Sequence, residues 1–217
     1  MEITVRREIM RYIIIIALSA LTGAIFAIME WPIEFMFIII AIFAFISISQ
    51  IIYVNSFTKN IASIEKYLAK NKKNPIFNYA YILPTATDGE LIEVLEAITQ
   101  KYKSTKYASI YGAYAALFKE DSEAARKSIQ PIAHTEVGRY TKALIDIFEG
   151  KYEEATKHDV KKQWMQHSIL AHIAFYKGDV NTLNEQAALS TNAVGGIQHY
   201  VNLHTFNKMK KELKNQP

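Results

Sequence analysis

The chain has 217 residues, with 25 Lys and Arg against 21 Asp and Glu, no Cys, and a net charge of +4. Without thiols it carries no disulfide scaffold, cysteine nucleophile or thiolate metal site. So mild a positive charge does not point to nucleic acid, which calls for a denser basic stripe.

Half of the residues are hydrophobic, and they are unevenly spread. Residues 12–54 hold only two charged side chains, Glu30 and Glu34. Residues 12–29 and 35–54 are free of charge altogether. At about 1.5 Å per residue they predict helices about 27 and 30 Å long, enough to cross a hydrocarbon core. Neither run has a polar face of helical period, so lipid is the simplest surrounding. Between them lies Glu30-Trp31-Pro32-Ile33-Glu34. Pro32 breaks the helix, and so short a link forces an antiparallel hairpin. Trp31, Tyr12 and Tyr53 suit the two interfaces.

Arg6, Arg7 and Arg11 precede the first span, Lys59, Lys66, Lys70, Lys72 and Lys73 follow the second, and the link has no cation. The positive-inside rule then predicts a multi-pass cell-membrane protein with both termini cytoplasmic. A cleaved leader is disfavoured, because no A-x-A site follows the first run and a second span comes at once. Ser19, Gly23 and Ala27 recur every four residues, a small-residue face that either seals the hairpin or receives another membrane protein. No ionisable side chain lies inside either span, which argues against a channel or transporter acting alone.

Residues 55–73 carry Phe57, Ile61, Ile64 and Leu68 at helical spacing beside the five lysines. Those lysines either rest on anionic lipid heads or only set topology. Residues 74–88 read as an aromatic connector of turns bounded by Pro75 and Pro84. Asp88 is expected to cap the next helix, whose apolar face is Leu91, Ile92, Leu95 and Ile98.

From about residue 104 the chain repeats itself. Ala113, Ala143 and Ala171 align, as do Phe118, Phe148 and Tyr176, and then Ala125, Ala155 and Leu183, at offsets of 30 and 28 residues. Such periods signal helical arrays. Each unit reads as a helix, a polar or glycine turn and a second helix. The alanines allow close approach, and the aromatic fills the gap to the next hairpin. Gly150-Lys151-Tyr152-Glu153-Glu154-Ala155 resembles the inter-helix turn of tetratricopeptide repeats, and Gly178-Asp179 fits the same turn. The resemblance covers about residues 105–190. It departs from the family in lacking its first-helix Trp, in placing Asp146 or Ala174 where an aromatic usually precedes the turn glycine, and in a period below about 34. A non-repeat helical bundle fits the same pattern. For residues 192–213, Gly195-Gly196 favours a helix start near Ile197, with Ile197, Tyr200, Val201 and His204 on one face. Phe206 and Leu213 fall opposite, and a polar outer side would suit a terminal cap.

No phosphate-loop, dinucleotide, nucleophile-elbow or zinc-helix motif is present, so no cofactor or metal is expected and the chain does not read as an enzyme. A buried carboxylate or histidine cluster would revive that reading. The six histidines read as structural, and Gly195-Gly196 as a local bend. Twenty Lys against five Arg, with many Ile and Asn, fits an AT-rich bacterial genome.

The expectation is an all-α protein. Residues 1–54 form a transmembrane helical hairpin, 55–88 a basic juxtamembrane helix and connector, and 89–217 a cytoplasmic helical array similar to tetratricopeptide repeats. Such a resemblance implies an adaptor that holds a protein or peptide partner. Tyr107, Tyr114, Tyr140 and His172 would then face its groove as anchors, unless they are core. The alternative is an accessory or immunity subunit of a larger membrane transport complex, bound through the hairpin.

Overall fold

The computed structural model describes residues 32–215 together with Ile13 and Gly23. The chain divides into two compact units, Met1–Ile51 and Ile52–Pro217. All regular structure among the described residues is helical.

In the first unit the described helix is α1, Ile33–Ser56, which runs into the first residues of the second unit. Over Glu34–Ser56 it is long and apolar enough to cross a membrane, and none of its strongly apolar window is buried. Phe37, Phe43 and Phe45 are 61%, 67% and 71% exposed. An all-round apolar surface of this kind is stable only when lipid or another protein covers it. Ser47 donates to the Phe43 carbonyl at 2.8 Å, the internal partner that a lipid environment demands of a polar group. Among the described residues this is one candidate span, not a hairpin of two. Residues 12–29, with Ser19 and Ala27, lie outside the described residues, except that Ile13 and Gly23 are helical.

The second unit begins at the end of α1 and, among the described residues, contains ten further α-helices and one 3-10 turn, Gln130–Ile132. The α-helices are α2 Ile61–Asn71, α3 Pro75–Ile82, α4 Asp88–Lys101, α5 Lys106–Phe118, α6 Ser122–Ile129, α7 Glu136–Phe148, α8 Tyr152–Lys157, α9 Gln163–Tyr176, α10 Val180–Asn192 and α11 Gly196–Asn215. The basic juxtamembrane helix is therefore shorter than its sequence pattern, starting at an Asn60 cap that accepts from the Ser63 N–H. The connector is not a run of turns. Asn74 caps α3 and Pro75 sits in its first turn, where a missing N–H costs nothing. Thr87, not Asp88, caps α4, in a reciprocal box with Glu90. The negative Asp88 and Glu90 then complement the positive end of the helix. Residues 55–88 are part of the same compact unit as the array.

Three hairpins, α5–α6, α7–α8 and α9–α10, are built on one plan. Ala113, Ala143, Ala171, Ala125, Ala155 and Leu183 are all fully buried. With no side chain beyond Cβ, the alanines let the two helices of each pair close on one another. The turns superpose in detail. Glu120, Gly150 and Gly178 hold the equivalent position with φ of +60°, +76° and +72°. The next residue's N–H, on Asp121, Lys151 and Asp179, reaches back five residues to the carbonyls of Ala116, Asp146 and Ala174 at 2.8–2.9 Å. This left-handed cap satisfies carbonyls that each first helix would otherwise leave orphaned. Asp121 and Asp179 also cap the second helix, accepting from Ala124 and Thr182.

Each hairpin buries its apolar face against the first helix of the next. Ile129 and Ala125 of α6 share a core with Ala113 of α5 and Ile145 of α7. Ala155 of α8 shares one with Tyr140 of α7 and Met165, Ile169 and Ile173 of α9. Leu183 and Ala187 of α10 share one with Ala171 of α9 and Phe206 and Met209 of α11. The gap-filling side chain is one position earlier than the aligned aromatics. Ile147 is buried, and Leu117 and Phe175 are partly buried against these cores. Phe118 and Tyr176 are instead 36% and 45% exposed, and Phe148 is partly buried.

α11 takes the place of a fourth first helix and is covered on two sides. Phe206, Met209 and Leu213 pack on α9 and α10. Tyr200, Ile197 and Val201 pack with Ile64 and Leu68 of α2 and Ala80 of α3. Lys208 ties its far half to the Ala86 carbonyl and to Asp88. The two ends of the second unit thus meet, which closes the array.

Candidate functional site

The four predicted groove residues separate. Tyr107 is on the surface, 39% exposed, against Tyr102 at 5.8 Å between ring centroids and beneath the Lys106 ammonium. Tyr140 is in the core, its hydroxyl 2.8 Å from Ser168 Oγ and its ring 5.3 Å from Trp164. Tyr114 stacks edge-on with Tyr111, which stacks in turn with Tyr79. His172 donates from Nδ1 to the Ser168 carbonyl at 2.7 Å and meets the Phe206 ring of α11. Burial dominates the chemistry of Tyr114, Tyr140 and His172. It pushes the Tyr114 phenol up to about 12, raises Tyr79, Tyr111 and Tyr140 further, and lowers His172. Tyr114, Tyr140 and His172 pack inward on the first helices, His172 against Phe206 of α11.

A second polar cluster joins hairpins. Asp146, buried at the position where the repeat family carries an aromatic, accepts from Arg126 and from His158 Nε2, both at 2.6 Å. Arg126 also grips Glu149 with two N–H groups, at 2.6 and 2.9 Å, and Lys151 binds the same carboxylate. The Arg126 and Lys151 cations hold the Glu149 carboxyl down to about 2. This cluster clamps α6 to α7 and to the loop after α8. Every charge in it is matched, so it acts as a strut.

A third feature lies where the chain leaves α1. Here the Gly195-Gly196 pair does more than bend the chain. A Cβ on Gly195 would stand 2.4 Å from the Phe57 carbonyl oxygen, and one on Gly196 would stand 1.9 Å from that of Asn55. Gly196 has φ +62° and donates its N–H to the Thr58 carbonyl at 2.7 Å. Lys59 donates to the Asn192 carbonyl at 2.7 Å. Beside this seam opens a concavity of about 580 Å³ walled by Phe57, Lys59, Lys162, Trp164, Asn192 and Gln198, among others.

Of the predicted lipid-surface lysines, Lys59, Lys66, Lys70, Lys72 and Lys73 are all exposed, and Lys72 lies over the Tyr81 ring. Among the described residues no three His, Asp or Glu side chains gather as metal ligands would. The missed residues, Lys162, Trp164 and Gln198, lie more than a hundred positions from Lys59, and no local spacing links them. No protein-family model, curated protein or solved structure compared with this chain matches it.

Proposed function

We propose that the chain is a membrane-anchored interaction scaffold. Its helical-repeat unit lies at the inner membrane surface and binds a protein or peptide partner. In this reading residues 12–29 and α1 form an antiparallel two-span hairpin with both termini cytoplasmic.

The observation that carries the reading is the pairing of an uncovered apolar helix of membrane length with an array whose regular outer edge is aromatic. The register repeats Phe118, Phe148 and Tyr176 at the last turn of α5, α7 and α9, and leaves two of them well exposed. Burial raises the Tyr176 phenol first, and Tyr152, Glu212 and Glu120 add to it. Aromatics held on rigid helices bind at low entropic cost. This edge is a better docking surface than the inner side, which the protein fills with its own rings.

A partner that copurifies in detergent should be lost from Phe118→Ala/Tyr176→Ala and kept by Tyr140→Phe. Loss from neither would remove the edge from consideration. The second reading, an accessory or immunity subunit of a membrane transport complex, draws on the same bare α1 surface. Gly23→Ile should break that assembly while leaving an edge-bound partner attached.

A further inference from the structure

The concavity beside Gly195-Gly196 combines features that solvent alone does not call for. It lies in the second unit, against the residues that directly follow α1. Resting on the membrane reading above, those residues emerge at the depth of lipid headgroups. The wall is rigid, since the Gly196–Thr58 and Lys59–Asn192 hydrogen bonds lock the 55–59 segment onto the α10–α11 junction, and the glycines exclude any slack between the two backbones.

Its lining includes two lysines and no Asp or Glu. The Lys59 ammonium bonds a neutral carbonyl and so keeps its charge uncompensated. Lys162 is 3.9 Å from Glu136 Oε2, a loose contact. The other Glu136 oxygen is occupied by the backbone N–H groups of Lys161 and Lys162. Asn192 adds a side-chain amide, Gln198 is tied to Asn202 through its Nε2 at 2.7 Å, and Phe57 and Trp164 give an apolar rim. Phe57 is 66% exposed in spite of its size. Two cations, an amide and two aromatic rings, next in sequence to an apolar helix of membrane length, match one chemistry, that of an anionic phospholipid. The phosphodiester sits between the ammonium groups and the glycerol backbone lies against the rings.

We infer that this concavity is a binding site for the headgroup of one anionic phospholipid, held by Lys59 and Lys162 against Phe57 and Trp164. It is distinct from the exposed Lys66 and Lys70 of α2, which do not line it.

The test is a phosphatidylglycerol titration of the full chain in neutral detergent, followed by native mass spectrometry. The expected result is one tightly held lipid per chain, with phosphatidylcholine held at least tenfold more weakly. Lys162→Ala should weaken that first lipid about fivefold, and Lys59→Ala/Lys162→Ala about thirtyfold. Lys66→Ala/Lys70→Ala should stay within twofold of the unaltered chain. Lys162→Ala leaves the Lys59–Asn192 bond intact, so it reads the site without loosening the fold, and Trp164 emission in a Trp31→Phe background checks this. Unchanged affinity in both pocket variants overturns the inference. So does an equal loss in the α2 pair, which would mean diffuse surface charge. Displacement of the lipid by equimolar inorganic phosphate would mean an ion site and would likewise overturn it. Failure of the membrane reading looks different: the chain would be monodisperse without detergent and carry no detergent belt, and both readings would fall together.

Discussion

The left-handed turns give the sharpest test of the repeat plan. Two of the three equivalent positions are glycine, and the third is Glu120 at φ +60°. A residue with a side chain costs about 1–2 kcal/mol in this conformation. Glycine removes that strain but brings about 0.5–1 kcal/mol of extra unfolded-chain entropy. Glu120→Gly should therefore stabilise the second unit by about 0.5–1 kcal/mol. Nothing lies within 4 Å of a Cβ built on Gly150 or Gly178, so alanine there meets only the backbone penalty. Gly150→Ala and Gly178→Ala should each destabilise by about 1 kcal/mol. For a unit of this size these changes shift the midpoint by about 2–4 °C per kcal/mol, upward for Glu120 and downward for the glycines. Thermal unfolding followed by circular dichroism of the full chain in detergent reads both signs. A lower midpoint for Glu120→Gly, or no change for the two glycine variants, would refute the claim that the three turns are one structure.

Three further outcomes follow from the same contacts. Asp146→Ala leaves Arg126 and His158 without their shared acceptor. Because Arg126 is 38% exposed, the loss is held to about 2 kcal/mol, measured by urea unfolding. Glu149 has a folded pKa of about 2 against an ordinary 4.5, so its contribution is complete above pH 4.5 and is lost as pH falls from 4.5 toward 2. Glu149→Gln should flatten that part of the stability–pH curve, and an unchanged curve would show that the Arg126 contact is not formed. Gly196→Ala combines a positive φ with a Cβ 1.9 Å from the Asn55 carbonyl oxygen, and should cost about 3 kcal/mol or more. Wild-type hydrogen-exchange protection at the start of α11 in that variant would contradict the seam.

What the amino-acid order revealed, and what it hid, divides by range. The alanine register of the hairpins was legible because it is local: each pair sits within one turn and two helices, and all six small or branched positions are buried. Aromatic size favours Phe118 and Tyr176 as gap-fillers, but it is Leu117 and Phe175 that pack against the cores. Asn74-Pro75 signals a turn and a helix start equally well, and burial of Tyr79 and Ala80 decides for the helix α3. α11 showed no clean stripe because it packs on two sides at once, with Tyr200 toward α2 and Phe206 toward α9. The role of Gly195-Gly196, and with it the concavity, depends on contacts with residues some 140 positions earlier, which no window of sequence contains. Lys59 was legible as part of a basic flank. Lys162 and Trp164 look like ordinary helix-start residues until the fold brings them beside it.

The account depends most on α1 crossing a membrane with the array on the inner side. The chain has no cysteine of its own, so single thiols can be placed at will. Glu34→Cys and Lys214→Cys, probed with a membrane-impermeant maleimide on intact cells, give the most direct test. Labelling of position 34 in intact cells, and of position 214 only after lysis, is the predicted result. Labelling of position 214 in intact cells, or of neither position until lysis, would contradict it.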